Sequence, residues 1–164
     1  MNQLCFDFSL LKPKPKVKKQ KSYNTTHYWN WGYKEPIKVR ADGVVDRKAV
    51  TAFTQGQCHA FALALHEISG WPIVGLFNEY NLEKGDRGTP GHCAVKSPYG
   101  IVDIEGLGAV SRCCYGRVKV VSKERVLGFH NIDYMKPNVE VARPFARHIY
   151  REIITNANDT AASN

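Results

Sequence analysis

Residues 54–70, TQGQCHAFALALHEISG, decide the reading of this chain. Residues 58–68 contain no helix breaker and are apolar almost all round, which predicts a helix buried on every side. Gly70 supplies its stop. Gly56 and Gln57 precede it, so Cys58 falls in the first turn after a glycine bend. There the unpaired backbone N–H groups and the helix dipole favour a thiolate, and a nearby imidazolium favours it further. Cys58 is therefore the candidate nucleophile. Its own N–H, with the side chain of Gln57 or Gln55, is the candidate donor set for a developing oxyanion.

Beyond the helix, Pro72 to Phe77 reads as a buried strand and residues 78–91 as a polar, glycine-rich loop. The next stretch, GHCAVKSPYGIVDIEG at 91–106, reads as two strands, 92–96 and 101–105, about the turn Ser97-Pro98-Tyr99-Gly100. His92 begins the first strand, and acids stand on the second. If Lys96 faces Ile101, then His92, Ala94, Ile101, Asp103 and Glu105 share one face. His92 then lies opposite Glu105 and diagonal to Asp103, about 7–8 Å apart along the backbone, within reach of side chains. A slip of one residue would turn the acids to the other face. His92 is thus the candidate base, Asp103 its orienting acid, and Glu105 the alternative acid.

Together GQCHAFALALHEISGWPIV and GHCAVKSPYGIVDIEG resemble the cysteine, histidine and aspartate boxes of the transglutaminase-like group within the papain-like superfamily. The resemblance covers residues 54–106. It implies an α+β fold in which the buried helix carries the nucleophile and packs on a mostly antiparallel sheet. It also implies a reaction: acyl transfer from an amide or peptide bond through a thioester, with Cys58 as nucleophile, His92 as base and acid, and Asp103 fixing the imidazole. A protein or peptide would be the substrate, and no cofactor is expected. Two positions depart from the pattern, Ala94 and His59, where an aromatic residue is common in the family; they bear on the substrate. Peptidase, amidase, deamidase and transglutaminase all remain open.

Outside this block, residues 1–22 form a basic arm expected to be extended and flexible. Residues 1–21 hold six lysines against one aspartate, five of the eight net positive charges of the 164-residue chain. Lys12 to Lys21, which begins by alternating lysine with proline, is expected to attract polyanions such as nucleic acid without sequence preference. It tethers the apolar peptide Gln3 to Phe8, which resembles motifs that dock on replication clamps; a strand docked on the domain is the plainer reading.

The aromatic run from Tyr23 to Tyr33 reads as core, with a stacking surface or a cleft wall as alternatives. Asp46 is placed to cap a short helix through Phe53, and Ser122 to cap another after a strand at Arg117 to Val121. Phe145, Ile149 and Ile153 recur at helical spacing behind Pro144, which suits a first helical position. One domain is expected over 23–157, with residues 158–164 frayed.

The chain is 43% hydrophobic, with no uninterrupted apolar run of membrane-spanning length and no secretory pattern at the N-terminus, so a cytoplasmic protein is expected. Five cysteines, Cys5, Cys58, Cys93, Cys113 and Cys114, make an odd set with an adjacent pair, which fits free thiols. The pairs Cys58-His59, His92-Cys93 and Cys113-Cys114 lack zinc-ligand spacing, and no metal is expected. The competing function is a non-catalytic adaptor that uses the same fold as a binding platform, directed by the N-terminal arm.

Overall fold

The computed structural model describes residues 21–78, 89–108, 117–128 and 136–162. Gln3–Phe8, most of Lys12–Lys21, the middle of the 78–91 loop and Cys113-Cys114 lie outside the described residues. The fold is α+β. Five strands form one antiparallel sheet in the order β6-β5-β4-β3-β7: β3 Ile73–Phe77, β4 His92–Ser97, β5 Gly100–Asp103, β6 Gly106–Leu107 and β7 Arg117–Val120. A separate hairpin pairs β1, Tyr23–Asn30, with β2, Tyr33–Arg40.

Among the described residues there are four helices: α1 Arg47–Thr54, α2 Cys58–Ser69, α3 Lys123–Gly128 and α4 Val139–Ala162. α2 packs on β4 on one side and on α4 on another. That accounts for its all-round apolar surface, with every residue from His59 to Leu65 buried. Burial of Phe61, Leu63 and Leu65 stabilises the domain by roughly 1.5–3 kcal/mol each. Alternation along β3 divides two clusters. Ile73 and Phe77 join α1, α2 and α4 in the main core, whereas Val74 and Leu76 meet Ala94 on the other face.

Local chemistry sets the boundaries. The Asp46 side chain accepts from the Ala49 N–H at 3.0 Å, and Ser122 Oγ from the Arg125 N–H at 3.1 Å. Gly70 closes α2 at φ 72°, its N–H donating to the His66 carbonyl. Glu67, on the same helix, reaches Lys123 at 2.9 Å and Arg143 at 3.1 Å, tying α2 to α3 and α4.

Several expectations are revised. The β4–β5 connection is tighter than a four-residue turn: Ser97 pairs with Gly100, and only Pro98 and Tyr99 lie between them. α4 begins at Val139, so Pro144 stands in its second turn and not at its start. Asn138 takes the capping role, its Oδ1 accepting from the Val141 N–H at 3.4 Å. Over 158–162, part of the expected tail, α4 continues as helix through Ala162, and Thr160 Oγ1 donates back to the Asn156 carbonyl at 2.8 Å. The aromatic run is a hairpin, not core. Its turn is Trp31-Gly32, both at positive φ; Trp31 is 95% exposed, Tyr33 is exposed beside it, and Tyr23 is exposed at the other end of the hairpin.

Gly43 joins β2 to α1 at φ 78°, and a Cβ there would meet the Pro144 carbonyl oxygen at 2.5 Å. Gly70 has a similar φ of 72° but nothing within 4 Å. Gly43→Ala should therefore lose about 2–4 kcal/mol in urea unfolding, and Gly70→Ala only about 1–2 kcal/mol. Equal losses would contradict close packing of this loop on α4.

Candidate active site

The site begins with Gln57, which caps α2 with its backbone while its side chain points elsewhere. Its amide is 1% exposed: Nε2 donates to the Lys136 carbonyl at 3.2 Å, and Oε1 accepts from the Asn138 N–H at 2.9 Å. The start of α2 is thereby fastened to the start of α4, leaving the next residue, Cys58, half-buried at the mouth of a cavity. Of the two glutamines expected to stabilise an oxyanion, Gln57 is engaged in this bridge. Gln55 is exposed and lines the cavity with Cys58.

Across from the helix start stands β4. The register places Lys96 opposite Ile101 and Val95 opposite Val102, so His92, Ala94, Ile101 and Asp103 do share a face. His92 is 4% exposed and Asp103 3%, and His92 Nε2 meets Asp103 Oδ2 at 3.1 Å. The other carboxylate oxygen, Oδ1, accepts from the Glu105 N–H at 2.8 Å, in a turn of the kind that aspartate favours. The carboxylate both closes the β5–β6 turn and holds the ring. Glu105 lies exposed on that turn, since β5 ends at Asp103 and the chain folds back into β6.

With Nε2 on Asp103, Nδ1 is the nitrogen left for the thiol of Cys58, to which the His92 side chain also hydrogen-bonds. Burial of His92 opposes its charged form. The hydrogen bonds to Asp103 and Cys58, and the charges behind them, outweigh that cost and push its pKa up to about 10. Cys58 moves the other way, well below the usual thiol range. The largest cause is a hydrogen bond with the Cys93 thiol; burial opposes it, and hydrogen bonds with His59 and His92 and the charge of His92 add to it. Cys93 in turn is raised well above that range, because it shares its hydrogen with Cys58 and is buried. The favoured form pairs a Cys58 thiolate with a His92 imidazolium.

Cys93 and Trp29 are the additions to the residues singled out by sequence. Alternation puts Cys93 with Val95 in the core beneath α2, where its sulfur reaches Cys58. Trp29 is brought over the site by a backbone bond, its N–H donating to the Gln55 carbonyl at 2.8 Å. One of the aromatics in the run is thus a wall of the cavity. That cavity holds ≈ 230 Å³ and is lined by Trp29, Gln55, Cys58, His59, Pro90 and Cys93, among others; no lysine, arginine or carboxylate side chain is among its described walls.

Among the described residues no three His, Cys, Asp or Glu side chains converge so as to hold a metal ion, and no helix is long and apolar enough to cross a membrane. No protein-family model, curated protein or solved structure matches the chain.

The two glutamines should separate by stability. Gln57→Ala removes a buried amide and both of its backbone hydrogen bonds and should cost on the order of 2–4 kcal/mol in urea unfolding, whereas Gln55→Ala should stay within about 0.5 kcal/mol of the parent. The reverse order would contradict the bridge between α2 and α4.

Proposed function

We propose that this chain is a cysteine-dependent hydrolase or acyltransferase, built on a core of the transglutaminase-like or papain-like kind, acting on an amide or peptide bond. The observation that supports it is the contact chain from the Cys58 thiol to the His92 ring to the buried Asp103 carboxylate, with the sulfur opening onto a cavity. Among the described residues, the walls other than Cys58 carry no lysine, arginine or carboxylate side chain, which favours a neutral group at the reacting carbonyl, such as a carboxamide side chain or a peptide bond beside a neutral residue.

In this reading the Cys58 thiolate attacks the carbonyl carbon, and the carbonyl oxygen gains negative charge at the first turn of α2. There the Cys58 N–H has no intrahelical partner, and Gln55 offers a second donor from the cavity wall. As the carbon–sulfur bond forms, the thiolate charge that raised His92 disappears. The imidazolium becomes a stronger acid and passes its proton to the departing nitrogen. A thioester remains. Water or an amine then attacks it, neutral His92 taking the proton, and Cys58 leaves as thiolate to restore the ion pair. Asp103 keeps the ring oriented and offsets its positive charge throughout.

The reactive form exists between the depressed pKa of Cys58 and the His92 value of about 10. Turnover of p-nitrophenyl acetate, and of neutral amides found by screening for ammonia or amine release, should have an acid limb below the ordinary thiol value of ~8.5. Amide turnover should fall as pH rises through about 10, where His92 loses its proton. His92→Ala should lower kcat/KM by about 10²–10⁴-fold, and Cys58→Ser should abolish the acyl-enzyme detected by intact mass. If no acyl adduct forms at Cys58, or if His92→Ala turns over like the parent, the catalytic reading fails and the fold is better read as a binding platform.

A further inference from the structure

The thiol next to the nucleophile has no part in that reaction cycle. Cys58 and Cys93 are both free, both line the same cavity and both pack in the main core, although they come from different elements, the start of α2 and the second residue of β4; a hydrogen bond between the two thiols lowers Cys58 and raises Cys93. A core cysteine is normally inert because it meets only apolar neighbours. This one meets a second sulfur that opens onto a cavity. We infer that Cys93 is the resolving thiol of a peroxide-sensitive pair: a hydroperoxide oxidises Cys58, and Cys93 captures it in a reversible Cys58–Cys93 disulfide.

The chemistry balances with a hydroperoxide as the only oxidant. The Cys58 thiolate attacks the distal peroxide oxygen, forming an S–O bond and breaking the O–O bond. Sulfur loses two electrons, and the departing alkoxide or hydroxide takes a proton from His92 and leaves as alcohol or water. The product is a Cys58 sulfenic acid, which carries no negative charge. Cys93 is held as a thiol chiefly by its hydrogen bond to the Cys58 thiolate, and oxidation removes that partner. Its sulfur then attacks that of Cys58, the S–S bond forms as the S–O bond breaks, and the Cys93 proton leaves with the hydroxyl as water. An external dithiol reverses the step by two exchanges, becoming a disulfide itself. While the bond lasts Cys58 cannot attack a carbonyl, and it is also kept from irreversible oxidation.

This rests on the Cys58 thiolate but not on any amide substrate, so it is tested separately from turnover. The full chain, reduced and then exposed to equimolar hydrogen peroxide, should lose two thiols and two hydrogens in mass. Peptide mapping should join Cys58 to Cys93, and dithiothreitol should restore both thiols. In Cys93→Ser, verified as folded by circular dichroism, the same treatment should leave a sulfenic acid on Cys58 that dimedone traps at a several-fold higher yield than in the parent, and further peroxide should drive Cys58 to the sulfinic acid. The proposal is overturned if Cys58 of the parent gains oxygen while Cys93 stays free, if the bond joins Cys58 to Cys5, Cys113, Cys114 or a second chain, or if peroxide leaves both thiols unchanged. Loss of amide turnover in the reduced parent would count against the proposed enzyme alone.

Discussion

The buried amide of Gln57 holds the architecture of the site together. Two hydrogen bonds to the backbone of residues 136 and 138 set the start of α2 against the start of α4, although they are far apart in sequence. An unpaired amide in that position would be costly, so this contact fixes where α2 begins. Everything reactive is placed from that point: Cys58 is the next residue, and the apolar faces of α2 fix its distance from β4 and α4.

The second determinant is that one strand carries two successive side chains that reach the same sulfur. His92 and Cys93 open β4, and both hydrogen-bond Cys58. The tight turn at Pro98-Tyr99 brings β5 back in the register that puts Asp103 on the His92 face. Buried charge is expensive unless paired and hydrogen-bonded. Here the imidazolium has a carboxylate on one nitrogen and a thiolate on the other side, which raises His92, while Cys58 is lowered first by its hydrogen bond with Cys93 and then by His59 and His92. The same closeness of sulfurs that depresses Cys58 also exposes it to capture by Cys93.

What the sequence made legible follows periodicity and local chemistry. The all-round apolar run gave α2, Asp46 and Ser122 gave their caps, and pairing Lys96 with Ile101 correctly put His92 and Asp103 on one face. Contacts between distant segments were not legible. The Gln57 bridge is one of these, since its spacing to Cys58 carries no hint of Lys136 and Asn138. The place of Cys93 beside Cys58 is another, since it depends on which face of β4 receives α2. Pro144 suggested a helix start by propensity, and Asn138 outcompeted it by capping one residue before Val139. Nor does Trp31 in a left-handed turn follow from preference, since such positions favour glycine or asparagine; the β1–β2 register imposes it.

The most direct test of the central claim, a thiolate–imidazolium pair at Cys58 and His92, is the pH dependence of Cys58 alkylation by iodoacetamide, followed by peptide mapping in the parent, His92→Ala and Asp103→Asn. The account predicts that Cys58 reacts in the parent near pH ~6, well below an ordinary thiol, and that His92→Ala moves the midpoint upward by a unit or more. Asp103→Asn should move it less, because it weakens the ring's charge without removing the ring. A midpoint near ~8.5 in all three proteins, or a parent profile unchanged in His92→Ala, would contradict it.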